Sequence, residues 1–341
     1  MEIFAARKTS PSVPGKHLET GRQSDQAEES RLGDSPVRGE EAAQNEVGAE
    51  VAKAAASLEA FHPARWVTSA RALALSSHRP LIMGIINLTP DSFSDGGRLL
   101  SAREAAEEAR RMEEIGVDLV DFGAESTRPG AEPVSAQEEL HRLLPVLRAV
   151  AGRLTVPISV DTYKASVARV ALAEGAEIVN DVSGGKWETG LWETVRDAGA
   201  GYVLVHSRGV PKTMQADAVY RDVVREVKEE MSVRLSQCRE AGIPGERILC
   251  DVGFGFAKTE DQNWALLREL RVFAEMGRPL LVGVSRKSFL RRWAPVKDQD
   301  AASLAVEILA STKGAAVWRV HDVDGAVAAR NVIAALQGGL P

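Results

Sequence analysis

The feature that most constrains the fold is a regular alternation of apolar runs and helical stretches from residue 65 onward. The runs are nearly continuous in apolar residues, which is typical of parallel strands covered on both faces. The predicted strands span 81–86, 117–122, 156–160, 176–180, 202–205, 247–250, 279–284 and 315–320. The predicted helices span 101–115, 136–150, 164–174, 191–198, 219–241, 261–275, 301–313 and 325–336. Eight such units predict an α/β fold, a (β/α)8 TIM barrel.

A doubly wound open sheet is the alternative fold for the same alternation. No G-x-G-x-x-G sequence follows the first predicted strand, which disfavours a dinucleotide-binding domain of that kind. Before the first strand, residues 66–75 are expected to form a short hairpin or capping element.

Residues 1–64 differ in composition from the rest of the chain. They contain two Phe, no Trp or Tyr, and more acidic than basic residues. Such a segment cannot bury enough apolar surface to offset the entropy of ordering it. We therefore predict a disordered N-terminal extension over 1–64 and a barrel domain over 65–341. If part of the extension is helical, a mostly solvated helix is expected rather than one that docks a partner, with a thin apolar stripe of Val47, Val51, Ala54, Leu58 and Phe61.

Composition excludes several classes of partner. The net charge of −6 gives no general attraction to nucleic acid or to an anionic membrane. No apolar run approaches the ~18 residues of a membrane span. The N-terminus lacks the apolar core of a signal peptide, so a cytoplasmic location is expected. Cys238 and Cys250 have no metal or redox spacing and are expected to be reduced core thiols.

Polar side chains follow nearly every predicted strand. They are Asn87, Glu125, Asp161, Asn180, Asp181, His206, Asp251, Lys287, Arg319 and His321. Any one of them could be structural, since an Asp at a strand end often caps the next helix and His206 alone is more typical of a satisfied core or rim histidine. In a TIM barrel, however, these positions converge at the C-terminal end, where the active site lies.

The residue types narrow the ligand class. Asp161 and Asp251 offer carboxylate acceptors, Asn180 offers an amide donor and acceptor, and Lys287 offers an ammonium. Carboxylates that face ring N–H or amino groups, with Lys and Asn facing a carbonyl and ring nitrogens, suit a polar heterobicycle such as a pterin or a purine.

A second group of side chains predicts an anion site. Arg319 and His321 are two residues apart on one strand and so point to the same side, where Asn87 and loop hydroxyls would join them. Asn87, beside Asp residues, could hold Mg²⁺ through oxygen while the ion keeps its waters. A heterocycle and a pyrophosphate-like group in one pocket indicate a substitution with pyrophosphate leaving.

With these residues in view, the chain resembles the dihydropteroate synthase family, the sulfonamide targets of the folate pathway. The most specific match is Asn87-Leu-Thr-Pro-Asp-Ser-Phe-Ser-Asp-Gly-Gly97, followed by Glu125-Ser-Thr-Arg-Pro-Gly130. The other matching segments are 159–162, 180–185, 211–215, 251–256, 283–288 and 319–322. They occur in the family's order, one or more per barrel unit.

The resemblance implies condensation of 6-hydroxymethyl-7,8-dihydropterin pyrophosphate with p-aminobenzoate, giving 7,8-dihydropteroate and pyrophosphate. It implies pterin contacts from Asp161, Asn180, Asp251 and Lys287, and pyrophosphate contacts from Asn87, Arg319 and His321, with Asn87 also at the Mg²⁺. It implies a p-aminobenzoate site formed by Phe93, Thr127, Arg128, Pro129, Phe256 and Ser288. The implied catalytic set is Asp91, Asp95, Lys287, Arg319 and His321. A homodimer is implied as well.

Four residues depart from the family pattern: Ala124, Val205, Val252 and Ala257. None removes an assigned side chain, but they put loop dynamics in question. Three other functions are alternatives to this prediction. A methyltetrahydrofolate:corrinoid methyltransferase has no pyrophosphate to bind, and a catalytically silent pterin-binding paralogue would be expected to have lost site residues. A Schiff-base aldolase using Lys287 is disfavoured because Lys287 lies beside Arg286 in a polar setting, and no desolvated pocket can be inferred for it from the sequence.

Overall fold

The computed structural model describes residues 65–76, 79–89 and 101–336. The predicted disordered extension over 1–64 and its apolar stripe lie outside the described residues. Asp91, Phe93 and Asp95, which are predicted to belong to the loop after the first barrel strand, lie outside them as well. Among the described helices, none is both long and apolar enough to cross a membrane.

Eight parallel strands close into a barrel. Its strands are β3 (Leu81–Asn87), β4 (Leu119–Gly123), β5 (Ile158–Asp161), β6 (Ile178–Asp181), β7 (Gly201–Val205), β8 (Ile248–Asp251), β9 (Leu280–Val282) and β10 (Ala315–Val320). Each strand pairs with the next along the chain, and β10 also pairs with β3, as Val317 faces Leu81 and Val320 faces Gly84. The TIM-barrel prediction is confirmed, because an open sheet would leave two unpaired edges.

Helices follow the strands, as predicted. They are α1 (Ala102–Ile115), α2 (Ala136–Val150), α3 (Ala165–Ala173), α4 (Leu191–Ala198), α5 (Val223–Glu240), α6 (Glu260–Arg268), α7 (Arg271–Ala274), α8 (Gln299–Ser311) and α9 (Val323–Leu336). The predicted helix 219–241 begins later because the Asp222 side chain accepts a hydrogen bond from Arg225 N and caps the helix there. The predicted helix 261–275 is divided into α6 and α7, since the backbone leaves helical geometry at Glu269 (φ −103°, ψ 21°).

The apolar residues form two layers. One lies between the strands and the helices and includes Ile82 and Ile86 of β3; the other fills the barrel interior and includes Leu81 and Met83 of the same strand. Alternate residues of a strand thus point to opposite faces, and both faces are apolar, as the continuous runs indicated.

A hairpin closes the end of the barrel opposite the carboxyl ends of the strands. It is formed by β1 (Arg65–Val67) and β2 (Ala72–Ala74), which confirms the expected hairpin. Trp66 is fully buried in the interior layer, and its indole N–H donates to the carbonyl of Arg247 at 2.9 Å. Arg71 pairs with Glu177, which directly precedes β6 (Nη2–Oε1 2.5 Å). The hairpin therefore closes the apolar interior of the barrel at the amino-terminal ends of the strands.

Trp66→Ala is expected to lower the free energy of unfolding by ~3–5 kcal/mol, because it opens a cavity at the base of the interior layer. Urea denaturation would measure the loss. Trp293→Ala is the matched control, since Trp293 is 65% exposed and its loss should cost under ~0.5 kcal/mol. Equal effects of the two substitutions would contradict the sealing role of Trp66.

Candidate active site

The structure brings seven of the predicted polar strand-end residues together at one end of the barrel. Asn87, Asp161 and Asp251 are the last residues of β3, β5 and β8, and Asn180 lies in β6. Lys287 follows β9, Arg319 lies in β10, and His321 comes directly after it. These are the carboxyl ends of parallel strands, so the side chains surround one region without any special loop geometry.

Arg319 forms the centre of a buried ionic network. Its Nε donates to Oδ2 of Asp121 at 2.7 Å, and its Nη2 donates to Oδ2 of Asp161 at 2.8 Å. Asn180 Nδ2 also donates to Oδ2 of Asp121, at 3.1 Å. Arg319 thus links β4 and β5 to β10 across the barrel mouth and fixes the orientation of two of the predicted pterin contacts.

Asp121 is a site residue that the sequence analysis missed. It lies in β4 with no exposed surface and joins Arg319 to Asn180. The available signal was a single carboxylate inside the apolar run 117–122, where an unpaired charge would be costly. A cation elsewhere in the chain had to be its partner.

The charged groups in this network shift one another's pKa values. Burial raises the pKa of Asp161, while the Arg319 guanidinium opposes the shift and Asp121 adds to it. Burial alone lowers the pKa of Arg319, but Asp121 and Asp161 together raise it overall. Arg319 is therefore a permanent cation, and Asp161 is a carboxylate whose charge depends on that cation.

Lys287 lies against an aromatic ring. Its ammonium is 4.1 Å from the centroid of Phe256, and burial lowers its pKa to about 8 against the opposing charge of Asp251. Lys287 is therefore partly desolvated, which could not be inferred from the sequence. Arg286 pairs with Asp300 on α8 (2.7 and 2.9 Å) while Lys287 faces the loop after β8, so neighbours in sequence have different surroundings.

Asp251 is held by its own loop. Its Oδ1 accepts from the backbone N–H of Gly253 at 2.8 Å, and burial raises its pKa. Since a hydrogen bond to one carboxylate oxygen leaves the other as an acceptor, Asp251 keeps capacity for a ligand N–H on the Lys287 side.

Asn87 and His321 adjoin each other on the β3 side. Asn87 Nδ2 is 3.5 Å from His321 Nε2, and Ser285 Oγ lies 3.0 Å from His321 Nδ1 and accepts from the backbone N–H of His321 at 3.1 Å. Burial and nearby arginines lower the pKa of His321 to about 3, so the imidazole is neutral. Ser285, which the sequence analysis did not single out, orients it.

The predicted p-aminobenzoate residues lie in loops around the opening. Thr127 and Phe256 are half-buried, whereas Arg128, Pro129 and Ser288 are exposed. The charge of Arg128 contributes to the lowered pKa of both Lys287 and His321. The β4 loop is tied to the loop after β7, because Gly130 N donates to the carbonyl of Pro211 at 2.9 Å.

His206 does not join this group. Its ring contacts Lys258 (Nδ1–Nζ 3.1 Å) and Glu230 (Nε2–Oε2 3.1 Å), so the expectation of a satisfied rim histidine is confirmed. Within residues 65–76, 79–89 and 101–336, no group of three or more His, Cys, Asp or Glu could hold a metal ion. Cys238 and Cys250 are buried free thiols, as expected.

Comparison with known proteins agrees with this architecture. Residues 83–321 match the family described as pterin binding enzyme. The dihydropteroate synthase of Escherichia coli K12 is 42% identical over 268 residues, which cover 78% of this chain and 95% of that protein.

Solved structures extend the likeness to the whole barrel. The dihydropteroate synthase of Xanthomonas albilineans with 4-aminobenzoic acid aligns with a TM-score of 0.74 at 39% identity, over 82% of this chain and 99% of that one. That of Burkholderia cenocepacia with 7,8-dihydropteroate aligns with a TM-score of 0.72 at 40% identity, over 81% and 97%. The chain therefore belongs to the family of pterin-binding enzymes and, within it, to the dihydropteroate synthases, which are transferases of folate biosynthesis.

Proposed function

We propose that this site condenses 6-hydroxymethyl-7,8-dihydropterin pyrophosphate with p-aminobenzoate. The observation that carries the proposal is the grouping of Asp161, Asn180, Asp251 and Lys287 at the barrel mouth. Arg319 orients Asp161 directly and Asn180 through Asp121. Its two carboxylates, amide and ammonium complement the donors and acceptors of a pterin ring. Relatives of known structure bind p-aminobenzoate and 7,8-dihydropteroate.

The proposed mechanism is dissociative. The carbon–oxygen bond to pyrophosphate breaks with its electron pair leaving on oxygen, and the pterin ring delocalises the positive charge of the methylene carbon. The amine of p-aminobenzoate then forms the carbon–nitrogen bond and releases a proton. Arg319, His321 and Asn87 would bind the leaving group, while Asp161, Asn180, Asp251 and Lys287 would hold the ring. Catalysis would rest on positioning and charge stabilisation, with no covalent enzyme intermediate.

Around the pterin and pyrophosphate contacts, the loops would complete the binding site for p-aminobenzoate, here called the aryl site. Phe256 would line it and Ser288 would contact the p-aminobenzoate. Thr127, Arg128 and Pro129 would close over it from the β4 side, and Asp91, Phe93 and Asp95, outside the described residues, would do so from the β3 side.

Mg²⁺ is part of the proposal. The residues present fit an ion held lightly by the protein, since Asn87 offers one amide oxygen beside the anion site and the described part of the chain has no acidic cluster to enclose a metal. Such an ion would take its other ligands from phosphate oxygens and water, as Mg²⁺ commonly does. When bound, it would neutralise charge on the departing pyrophosphate.

The decisive experiment is pyrophosphate release by the purified protein, supplied with the pterin pyrophosphate and Mg²⁺, with and without p-aminobenzoate. Release that depends on the amine, with formation of dihydropteroate, would support the proposal. Tight pterin binding without amine-dependent release would instead favour a methyltransferase relative or a silent paralogue.

The value of kcat/KM for the pterin pyrophosphate is expected to fall as pH rises through about 8. The pKa of Lys287 in the free protein is about 8, and only its ammonium, present below that pH, donates a charge-assisted hydrogen bond. Steady-state rates measured between pH 6 and pH 10 would show this descending limb of the plot of kcat/KM against pH. Lys287→Arg stays charged throughout this range, so its residual activity should lack the limb. A limb at the same pH in that variant would assign it to another group.

A homodimer is also proposed. Leu309 of α8 and Val332 and Leu336 of α9 are exposed apolar side chains on consecutive helices, and a second copy of the chain would cover them. Sedimentation equilibrium of the wild-type protein and of Val332→Glu would test this. Sulfonamide inhibition and a cytoplasmic location stay predictions, which competition with p-aminobenzoate and cell fractionation would check.

A further inference from the structure

The loop after β8 has an unusual backbone. Three of its residues have positive φ: Gly253 (71°), Gly255 (79°) and Ala257 (49°). A Cβ at Gly253 would collide with the carbonyl oxygen of His206, so this glycine permits a close approach of two loops. At Ala257, where the family commonly has Gly, a Cβ is carried in a conformation that costs ~1–2 kcal/mol. A loop of this kind needs an anchor.

Lys258 can hold this loop in place through its hydrogen bonds. Its side chain is almost fully buried, and Nζ lies 2.9 Å from the carbonyl oxygen of Gly253, 2.9 Å from that of Phe256 and 3.1 Å from Nδ1 of His206. Burial lowers the pKa of Lys258 to about 7, and in its ammonium form the side chain has three N–H donors for these three acceptors. Two of the three belong to the loop itself, so Lys258 holds it from inside.

His206 and Glu230 orient the ammonium. Burial lowers the pKa of His206 to about 3, so its ring is neutral and carries one proton. Because Nδ1 accepts from Lys258, the proton is on Nε2, which donates to Glu230 at 3.1 Å. Glu230 is fixed in turn by Arg208, whose Nε lies 3.0 Å away. The chain of contacts runs from α5 to the loop without an unmatched donor.

The anchored loop reaches the active site through Phe256. Its carbonyl is bound by Lys258, while its ring lies 4.1 Å from the ammonium of Lys287. A shift of the Phe256 backbone would therefore move the ring that covers Lys287 and lines the proposed aryl site. Asp251 accepts from the N–H of Gly253, whose carbonyl is bound by Lys258, and the charge of Lys258 also lowers the pKa of Asp251, so part of the effect would reach the pterin side.

We propose that Lys258, oriented by His206 and Glu230, is a positioning residue that fixes Phe256 for binding of p-aminobenzoate. This inference rests on the proposed function. It assigns Lys258 no contact with substrate: its effect passes through the backbone of the loop.

The test is Lys258→Met, which keeps the length of the side chain and removes its donors. The KM for p-aminobenzoate is expected to rise on the order of 10- to 100-fold, because small misplacements of a positioning group have effects of this size. Both kcat and the Kd of the pterin pyrophosphate should change less, because Asp161 and Asn180 keep their contacts with Arg319 and Asp121. Hydrogen exchange of the backbone amides of residues 253–257 should become faster, whether or not substrate is present.

Lys186→Met is the matched control. Lys186 is a more exposed lysine of the same region, and it donates to the carbonyl of Ser207 rather than to the loop after β8. Its substitution should leave the KM for p-aminobenzoate unchanged. If Lys258→Met does not fold, His206→Phe removes one of the three acceptors, and a rise of several-fold in the same KM is expected.

Two results would overturn the inference. One is an unchanged KM for p-aminobenzoate, with unchanged exchange, in folded Lys258→Met, or in His206→Phe if the first variant does not fold. The other is an equal loss of affinity for both substrates, which would indicate a general structural role. Failure of the proposed function is distinguishable, because the wild-type protein would then release no pyrophosphate on addition of the amine.

Discussion

Arg319→Met is expected to lower kcat/KM for the pterin pyrophosphate by ~10²–10³-fold, the usual effect of removing one donor aimed at developing charge. Two losses combine in this variant. The leaving group would lose a permanent cation, and Asp121 and Asp161 would lose the guanidinium that holds them at 2.7 and 2.8 Å. Without it the pKa of Asp161, already raised by burial, should rise further, so less of the carboxylate form would be present to accept from the ring.

Further variants separate the effect of the charge of Arg319 from the effect of its hydrogen-bonding geometry. Arg319→Lys keeps the charge but cannot span both carboxylates, so an intermediate loss is expected. If the buried carboxylates unfold Arg319→Met, the double variant Arg319→Met/Asp121→Asn removes one of them and should restore the fold without restoring activity. Arg111→Met, on the surface of α1, is the control and should be close to wild type. Wild-type kcat/KM in folded Arg319→Met would refute the role assigned to Arg319.

The barrel could be predicted from the sequence because its signal is local. Each strand is an apolar run, and the polar residue that ends the run marks the carboxyl end of the strand. The residues that converge, such as Asn87, Asp161 and Asp251, could be found for the same reason. Once a barrel is assumed, the carboxyl ends of all its strands lie at the same end of the barrel, however far apart they are along the chain.

What sequence reasoning missed depends on contacts between distant units. Asp121 belongs to the site because of Arg319, 198 residues away, and no local pattern specifies that pair. Lys287 is desolvated because the ring of Phe256 comes from the preceding unit. Ala257 was noted as a departure from the family, but only the backbone shows that its Cβ is carried at a φ of 49°.

Lys164→Met is expected to cost ~3–5 kcal/mol of the free energy of unfolding, because it leaves two buried carboxylates without their cation. Lys164, at the start of α3, binds Glu125 of the β4 loop and Glu139 of α2 (Nζ–Oε2 2.6 Å), and all three side chains are at most 9% exposed. Tyr163 adds a hydrogen bond to Glu125 at 3.0 Å. The cluster therefore joins three segments beneath the loop that carries Thr127, Arg128 and Pro129.

The loss should depend on pH in a defined direction. Burial raises the pKa of Glu139 above its ordinary value even with Lys164 present, and removal of the cation should raise it further. A carboxyl whose folded pKa is raised contributes stability below its unfolded pKa of 4.5 and loses it as pH rises through the folded value. The difference between Lys164→Met and wild type should therefore be largest near neutral pH and shrink toward pH 4.5.

Urea denaturation at pH 7 and pH 5 would measure both effects. Lys212→Met is the control, since Lys212 is 56% exposed, pairs with the exposed Glu132, and should contribute under ~1 kcal/mol. Adding Glu139→Leu to Lys164→Met removes one uncompensated charge and should recover part of the stability. A loss that is independent of pH and is not relieved by Glu139→Leu would show that Lys164 acts through packing of its stem, not as the counter-ion of the two buried carboxylates.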